Sequence, residues 1–277
     1  RNLCNEAALI AARHDKAAIE LIDFEKASDR VIGGVEKASS PMSKEEKVLV
    51  AHHEAGHAVA AWFLEHADPL LKVTIVPRSN GALGFAQYLP KELSLYHQAQ
   101  LSDIMAMALG GRAAEQIFFG RVSTGASDDL QKVTRIAQAQ VTTYGMSARL
   151  GNVSYAQGQD DNQFVKPFSE ATAQAIDEEV RSLINATYER VLNLLEKHRA
   201  QVKALADKLI EMENVNHDVL VDILGPRPFA SDAYNTWRKQ AKEAAEELKK
   251  QEAERKAAAE AAAAAKQQGE TPDLTPA

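Results

Sequence analysis

The segment from Ser43 to Glu65 constrains the fold of this chain more than any other. It opens with Ser43-Lys44-Glu45-Glu46, a capping box in which the Ser and Glu side chains satisfy free backbone N–H groups of a first helical turn. It stops before Asp68-Pro69, because a proline disfavours the helical conformation of the residue ahead of it. The sequence therefore predicts one long helix to about Glu65, around which the rest of the chain must be built.

The composition favours further helices around that one. Aromatic residues make up only 6% of the chain and alanine is frequent near the C-terminus, which argues against an all-β sandwich or barrel. Two runs with strand character, Leu71–Val76 and Leu83–Leu89, flank the turn Ser79-Asn80-Gly81 and predict a β-hairpin. We predict a mainly α fold with a small hairpin or sheet and a long C-terminal helix. Further helices are predicted at roughly 95–118, 127–144, 169–197, 199–212 and 216–224, with Ser169 as an N-cap, Gly145 at a helix C-terminus, a short strand at Gly151–Tyr155 and a polar loop at Gly158–Asn162.

The charged residues exclude several classes of protein. The 32 basic and 39 acidic residues give a formal net charge of −7, which provides no electrostatic footprint for nucleic acid or an anionic membrane. The single cysteine, Cys4, rules out a disulfide framework and a cysteine-rich zinc site. No run of 18 apolar residues exists, so no membrane-spanning helix is predicted in this chain.

Composition and turn signals divide the chain into four segments. Residues 1–34 read as two helices, the second capped by Asp23 and ending at Gly33-Gly34. Two helices cannot enclose a core, so we interpret them as part of a neighbouring domain. Residues 35–42 are a predicted linker, 43–230 a compact domain, and 231–277 a charged, alanine-rich helical tail with a disordered end. Because the chain begins at Arg1 within a predicted helix, we expect a longer polypeptide with any anchor upstream.

The string His53-Glu54-Ala55-Gly56-His57 lies inside the long predicted helix. Residues at i and i+4 share one helix face, so two imidazoles at this spacing can bind one Zn²⁺. Glu54 lies beside them, where it can take a proton from a water that the metal activates. His52 is one position off this face and is interpreted as a bystander. Gly56 costs roughly 1 kcal/mol against alanine within a helix, which predicts close approach of another backbone or a ligand.

A catalytic zinc needs a third protein ligand and an open position. Two acidic residues are candidates: Glu115, on a second predicted helix, and Asp129, where a Gly-containing stretch leads into a helix N-terminus. Spacing does not choose between them, and either carboxylate also suits a purely structural role. The remaining histidines are isolated and fit ordinary structural roles: His14, His66, His97, His198 and His217.

Three motifs in combination resemble the FtsH-type AAA proteases. They are His53-Glu54-Ala55-Gly56-His57, Gly110-Gly111-Arg112-Ala113-Ala114-Glu115 and Ser123-Thr124-Gly125-Ala126-Ser127-Asp128-Asp129-Leu130. Residues Asn2–Arg13 look like the last part of that family's ATPase lid. The finer features that resemble the mitochondrial m-AAA branch are Leu64–Val73, Gly84–Pro90 and Leu224–Phe229. The resemblance covers roughly residues 1–230 and leaves out the alanine-rich tail.

The resemblance implies an FtsH-type helical peptidase domain that binds one Zn²⁺ per subunit. Carried over residue by residue, the metal ligands are His53, His57 and Asp129, with Glu54 as the catalytic base. Glu115 is then a candidate for supporting a ligand. The family acts as membrane-anchored hexamers, of like or mixed subunits, that use ATP and Mg²⁺ to degrade unassembled or damaged membrane proteins and process some precursors. The m-AAA proteases face the mitochondrial matrix; the alternative is the cytoplasmic side of a bacterial inner membrane.

This chain has no Gly-x-x-x-x-Gly-Lys-Ser/Thr sequence, so the resemblance places the ATPase and the membrane contact upstream of it. Unfolded polypeptide is the expected substrate, pairing with an edge strand for which we nominate Gly84, Phe85, Ala86 and Gln87. An ordinary hairpin edge explains that strand equally well. Two alternative functions are an inactive ring-forming scaffold subunit and a zinc hydrolase that acts on a small molecule.

Overall fold

The protein, described from a computed structural model, is mainly helical with one small sheet, as the sequence predicts. The structure describes residues 2–16, 18–36, 42–79, 81–89, 93–155 and 168–247. The elements in chain order are α1 (Asn2–Arg13), α2 (Leu21–Gly33), α3 (Lys44–Phe63), β1 (Leu70–Thr74), β2 (Phe85–Tyr88), α4 (Gln98–Phe119), a 3₁₀ turn (Thr124–Ala126), α5 (Ser127–Thr142), α6 (Glu170–Lys197), α7 (Arg199–Met212), β3 (Asn214–Asn216) and α8 (His217–Leu224). The predicted loop Gly158–Asn162, the chain end Gly269–Ala277 and most of the predicted linker lie outside the described residues.

The chain divides into two compact units, residues 1–229 and residues 230–277. In the second unit, residues 232–247 are helical, and the rings of Tyr234 and Trp237 stack with their centroids 6.2 Å apart. None of the described helices is both long and apolar enough to cross a bilayer. The assignment of four domains and segments remains a prediction.

The predicted central helix is α3, which begins and ends close to the expected residues. Ser43 is its N-cap, and the Ser43 hydroxyl accepts a hydrogen bond of 3.1 Å from the backbone N–H of Glu46. The helix ends at Phe63, two residues before the predicted end. From Val50 to Trp62 it is buried on most faces, so α3 runs through the core of the larger unit.

Helices α3 and α4 touch through their backbones. A methyl group added at Gly56 would lie 2.3 Å from the carbonyl oxygen of Gly110, and one added at Gly110 would lie 2.7 Å from the carbonyl oxygen of Gly56. Two glycines thus face each other at the crossing, which is the close approach of a second backbone that Gly56 predicted. This contact lies one residue from His57 and fixes the distance between α3, which carries both histidines, and α4, which carries Met107 and Glu115.

The sheet has the strand order β2-β1-β3, and both pairings are antiparallel. β1 and β2 form the predicted hairpin, with Val73 opposite Ala86 and a bulge on β1 between Leu70 and Lys72. The sequence analysis missed β3, because three residues carry too little pattern to identify a strand. β3 forms because its backbone pairs with the second edge of β1 and because the side chain of Val215 is fully buried.

Two predictions in the chain were wrong in detail. Residues Gly151–Tyr155 form no strand; Gly151 has a φ of +73°, and the N–H of Tyr155 donates to the carbonyl of Thr142 at the end of α5. Asp23 is not the N-cap of α2. Glu20 occupies that position, and the Asp23 carboxylate accepts a hydrogen bond of 3.0 Å from the N–H of Glu20, completing a capping box from inside the first turn.

Buried charges fasten the loop that leads from α3 to β1. The guanidinium of Arg227 donates to the carbonyl oxygens of Leu64 and Ala67. On the other side, the buried carboxylate of Asp103 accepts from the N–H of His66 at 2.9 Å and from Arg190 at 2.6 Å. The loop is therefore tied to α4, to α6 and to the segment after α8.

Candidate metal centre

The two histidines of α3 and a carboxylate of α5 converge at one point. The Nε2 atoms of His53 and His57 are 3.1 Å apart, and the Oδ2 atom of Asp129 lies 3.4 Å from the first and 3.2 Å from the second. The 3₁₀ turn before α5 aims the first turn of that helix at α3. These three side chains are the group in the described part of the chain that can hold a metal ion.

The outer nitrogen of each imidazole is engaged by another group. His53 Nδ1 lies 2.8 Å from Oε1 of Glu115, and His57 Nδ1 lies 2.8 Å from the carbonyl oxygen of Met107. A carboxylate and a carbonyl only accept hydrogen bonds, so each Nδ1 donates in the tautomer that satisfies these two contacts; the N–H of Gly111 also lies 3.3 Å from His57 Nδ1. The two Nε2 atoms then present their lone pairs to each other and to Asp129.

This arrangement fits a tetrahedral zinc ion. Three electron-rich atoms that face one another repel unless a cation lies between them. Zinc bonds of 2.0–2.1 Å in a tetrahedron place neighbouring ligand atoms about 3.3 Å apart, and the three observed separations lie within about 0.2 Å of that value. The donor set of two imidazoles and one carboxylate is one that zinc prefers, and it leaves the fourth position open.

The charges around His53 and Asp129 also favour a cation at this point. Burial lowers the pKa of His53, but the hydrogen bonds to Asp129 and Glu115 outweigh it and raise that pKa to about 9. Burial raises the pKa of Asp129, and the hydrogen bonds with both histidines outweigh it, so the pKa falls well below its usual range. The carboxylates of Asp129 and Glu115 therefore favour a positive charge at His53.

Glu54 lies beside the histidines in a cleft of about 700 Å³. A methyl group added at Gly84 would lie 2.7 Å from its Oε1 atom, so the carboxylate rests against the backbone just before β2. Burial raises the pKa of Glu54, and the neighbouring charges of His57 and His53 only partly oppose that shift. A carboxylate with a raised pKa beside an open metal position suits repeated proton transfer.

Glu115 contacts the outer nitrogen of His53, on the opposite side of that imidazole from Asp129. Its buried carboxylate holds His53 Nδ1 and accepts two hydrogen bonds from Ser123, from the N–H at 2.5 Å and from the hydroxyl at 2.9 Å. These bonds from His53 and Ser123 lower the pKa of Glu115 against the opposing effect of burial. His52 points away from the site; its Nδ1 lies 2.8 Å from the carbonyl of Val48.

Sequence reasoning missed three supporting residues. The carbonyl of Met107 left no signal, because any residue offers one. Ser123 lay inside a motif already quoted, but its bond to Glu115 depends on tertiary structure. Gly111 did leave a signal, as the second of two glycines inside a helix; a methyl group there would lie 2.4 Å from His53 Nε2, so the imidazole rests on its backbone.

The nominated substrate strand borders the same cleft. Gly84 and Ala86 line it, together with Tyr88, which was not nominated. Phe85 points elsewhere: its ring lies under the guanidinium of Arg78, 5.5 Å from the ring centroid. β2 is also an edge of the sheet, since β1 lies on one side of it and none of the described strands pairs with the other.

Several known proteins are similar to this chain over most of its length. The mouse (Mus musculus) mitochondrial inner membrane m-AAA protease component AFG3L2 is 56% identical over 229 residues, which cover 82% of this chain and 28% of that protein. The ATP-dependent zinc metalloprotease FTSH 10, mitochondrial, of Arabidopsis thaliana is 51% identical over 253 residues, 90% of this chain and 31% of that protein. FtsH of Rhodothermus marinus is 54% identical over 231 residues, 82% and 33% respectively.

The chain therefore spans about a third of the length of the curated relatives it matches. These relatives confirm the resemblance to FtsH-type AAA proteases and to their m-AAA branch. Residues 40–223 match the family described as Peptidase family M41, a range that includes α3, the sheet, α4 and α5. With this match, and with its histidine pair and carboxylate in place, the chain belongs to peptidase family M41.

Proposed function

We propose that this chain is the zinc-dependent endopeptidase part of an ATP-dependent AAA protease. One observation carries the proposal: two Nε2 atoms and one carboxylate oxygen converge at separations of 3.1–3.4 Å, beside the half-buried Glu54, in an open cleft. The ligands in this proposal are His53, His57 and Asp129, and Glu115 orients His53 from behind.

The residues divide the chemistry between them. When bound, zinc lowers the pKa of a water molecule in the open position and polarises the scissile carbonyl. Glu54 accepts the proton of that water and delivers it to the leaving amine, which its raised pKa favours. Glu115 and the Met107 carbonyl hold the imidazoles in the tautomer that directs Nε2 at the metal.

Substrate binding on β2 is part of the proposal. Leu89 donates its N–H to Pro69 on the β1 side, and Leu70 lies opposite Tyr88. Antiparallel pairs alternate between groups that point towards the partner strand and groups that point away. The N–H and C=O groups of Ala86 and Tyr88 therefore face the cleft, where an extended polypeptide can add as a further strand.

The wider setting of the proposal comes from the relatives. Their names describe ATP-dependent zinc metalloproteases of mitochondria, m-AAA protease components of the mitochondrial inner membrane, and a bacterial FtsH. We infer that this chain acts within a hexamer of like or mixed subunits on the matrix side of that membrane. Its substrates would be unassembled or damaged membrane proteins and some precursors, delivered unfolded by an ATPase outside this chain.

Zinc content and casein cleavage, measured together, test the proposed activity. The wild-type chain should hold one zinc per subunit and cleave casein. Glu54→Gln should keep the zinc and lose about 10²–10⁴-fold in rate, whereas Asp129→Ala should lose the metal. His52→Gln is the matched control, because the neighbouring histidine lies off the site and its loss should change neither quantity.

Four outcomes would contradict the proposal or one of its residue roles. Zinc binding without cleavage of any polypeptide would favour a small-molecule zinc hydrolase, and neither zinc nor cleavage would favour an inactive scaffold. Full activity in Glu54→Gln would remove that residue from the role of base. An unchanged zinc stoichiometry in Asp129→Ala would give the third ligand position to another group.

Ala86→Pro tests substrate pairing, since it removes an N–H that faces the cleft. We expect KM for an unstructured peptide to rise about tenfold or more, as an immobilised backbone bond is lost. Ala86→Val keeps the N–H and suits a strand, so it should remain near wild type. Phe85→Pro is less informative, because the N–H of Phe85 faces β1. An unchanged KM in Ala86→Pro would refute strand addition.

A further inference from the structure

Arg78 is a buried cation whose role the metal centre does not explain. It follows β1 and is only 2% exposed. Its Nη1 atom donates to the carbonyl of Gly34 at 3.2 Å and lies 3.5 Å from the carboxylate of Glu36. Its Nε and Nη2 atoms are buried with no hydrogen-bond partner among the described residues. A guanidinium left partly unpaired in the interior is costly, so its retention calls for a physical reason.

The guanidinium joins the end of α2 to the start of β2. Phe85, the first residue of β2, lies beneath it, and a methyl group at Gly33 would lie 3.1 Å from the Phe85 ring. The ring is therefore enclosed by the last residue of α2 on one side and by Arg78 on another. A planar cation over an aromatic face fixes the ring position in a way that an aliphatic contact does not.

Two further contacts fasten the same elements. The backbone of residues 35–36 runs antiparallel to that of 78–79, with Ser79 donating to Val35 at 2.8 Å and a bridge between Glu36 and Arg78. An ion pair between Lys72 of β1 and Asp29 of α2 joins the helix to the middle of the sheet. These contacts therefore hold α2 and the hairpin in a fixed position relative to each other.

The contacts also extend from β2 to Glu54, the proposed catalytic base. Gly84 precedes Phe85 directly, and its backbone rests against the Glu54 carboxylate, where a methyl group would be 2.7 Å from Oε1. On the other side of Phe85, Ala86 lines the cleft. A shift of the Phe85 ring would therefore move both the surface that contacts the base and the edge that we assign to the substrate.

We propose that Arg78 is a positioning residue that couples α2, through Phe85, to the β2 edge and to Glu54. The proposal rests on the proposed peptidase function for its kinetic consequence. Its structural consequence, that the guanidinium holds β2 in place, does not depend on that function. A movement of α2 would then be felt at the cleft without any change in the metal ligands.

Arg78→Met in the full chain, which removes the guanidinium and keeps the unbranched stem to about the position of Nε, tests the coupling. Hydrogen exchange of the amides in 84–88 should become about tenfold faster, while exchange in α5 stays unchanged. Peptide KM should rise about tenfold at unchanged zinc content, with the smaller effect on kcat. Arg78→Lys keeps a cation above the ring, so its exchange rate and KM should lie between those of wild type and Arg78→Met. Arg149→Met removes an exposed guanidinium paired with Glu178 and should change neither the exchange rate nor KM.

Phe85→Leu provides a second route to the same result if Arg78→Met does not fold. It keeps an apolar strand residue and removes only the aromatic face, and it should reproduce the faster exchange and the higher KM. Wild-type exchange and wild-type KM in either folded variant would overturn the proposal. If the wild-type chain cleaves no peptide, the proposed function fails, yet the exchange comparison still decides whether Arg78 positions β2.

Discussion

Gly56→Ala tests whether the backbone contact between α3 and α4 sets the architecture of the metal centre. The new methyl carbon would lie 2.3 Å from the Gly110 carbonyl oxygen and 2.6 Å from the Ala114 methyl group. A carbon and an oxygen that are not bonded approach to about 3.3 Å, so the helices would have to separate by about 1 Å. The atoms in the way include backbone atoms of α4, which have no alternative rotamer.

The expected loss of stability is the difference between two effects. Overpacking a core costs about 1–3 kcal/mol, and a rigid backbone obstacle places this site at the upper end. Alanine recovers about 1 kcal/mol over glycine inside a helix. The free energy of unfolding should therefore fall by about 2 kcal/mol. For a unit of residues 1–229, that corresponds to a Tm lower by about 4–8 °C.

Thermal and urea unfolding, followed by circular dichroism, measure this change, and zinc titration measures its effect on the site. A separation of about 1 Å would stretch the 2.8 Å bond between His57 and the Met107 carbonyl beyond hydrogen-bond length, so zinc affinity should fall as well. A variant that is as stable as wild type, or more stable, would refute the reasoning. Helix propensity alone predicts that opposite sign.

Three further predictions concern the supports of the site and of the core. Glu115→Gln should weaken zinc binding about 10–100-fold in competition with a chromophoric chelator, because a neutral amide holds His53 less firmly; unchanged affinity would exclude an orienting role. Because the pKa of His53 is about 9 without metal, zinc must displace a proton, so its apparent affinity should rise as pH increases from 6 to 8. Calorimetry in buffers of different ionisation enthalpy should detect the released proton, and a pH-independent affinity would contradict that pKa. Arg227→Met should lower the free energy of unfolding in urea by about 1–3 kcal/mol, since the carbonyls of Leu64 and Ala67 lose their buried donor; a loss below about 0.5 kcal/mol would contradict it.

Local signals were sufficient to predict most of the helices. Ser43 and Ser169 cap α3 and α6 as expected, each accepting a bond from the N–H three residues later, because capping is decided within one turn. Asp23 shows the limit of that signal. An acidic side chain can stabilise the start of a helix either as the N-cap or from the third helical position, and the sequence does not distinguish the two. β3 could not be predicted, since its stability comes from β1 and not from its own three residues.

In the candidate site too, local sequence predicts one part and tertiary packing decides the rest. The spacing of His53 and His57 fixed one face of a helix, and the structure brings both Nε2 atoms to the same point. The third proposed ligand, Asp129, comes from another helix, so its position depends on how α5 packs; the residues alone left Glu115 and Asp129 open. The structure separates the two by distance: one carboxylate reaches the inner nitrogens, and the other reaches the outer nitrogen of His53.

Because Asp129 lies on a helix that follows the histidine pair in the chain, the group of three side chains depends on tertiary folding. During synthesis, the histidine pair emerges before α5, and two imidazoles alone bind a metal ion more weakly than three ligands. The three side chains come together only once α5 has packed against α4 in the folded unit. A metal ion that binds all three would therefore stabilise the folded chain over the unfolded one.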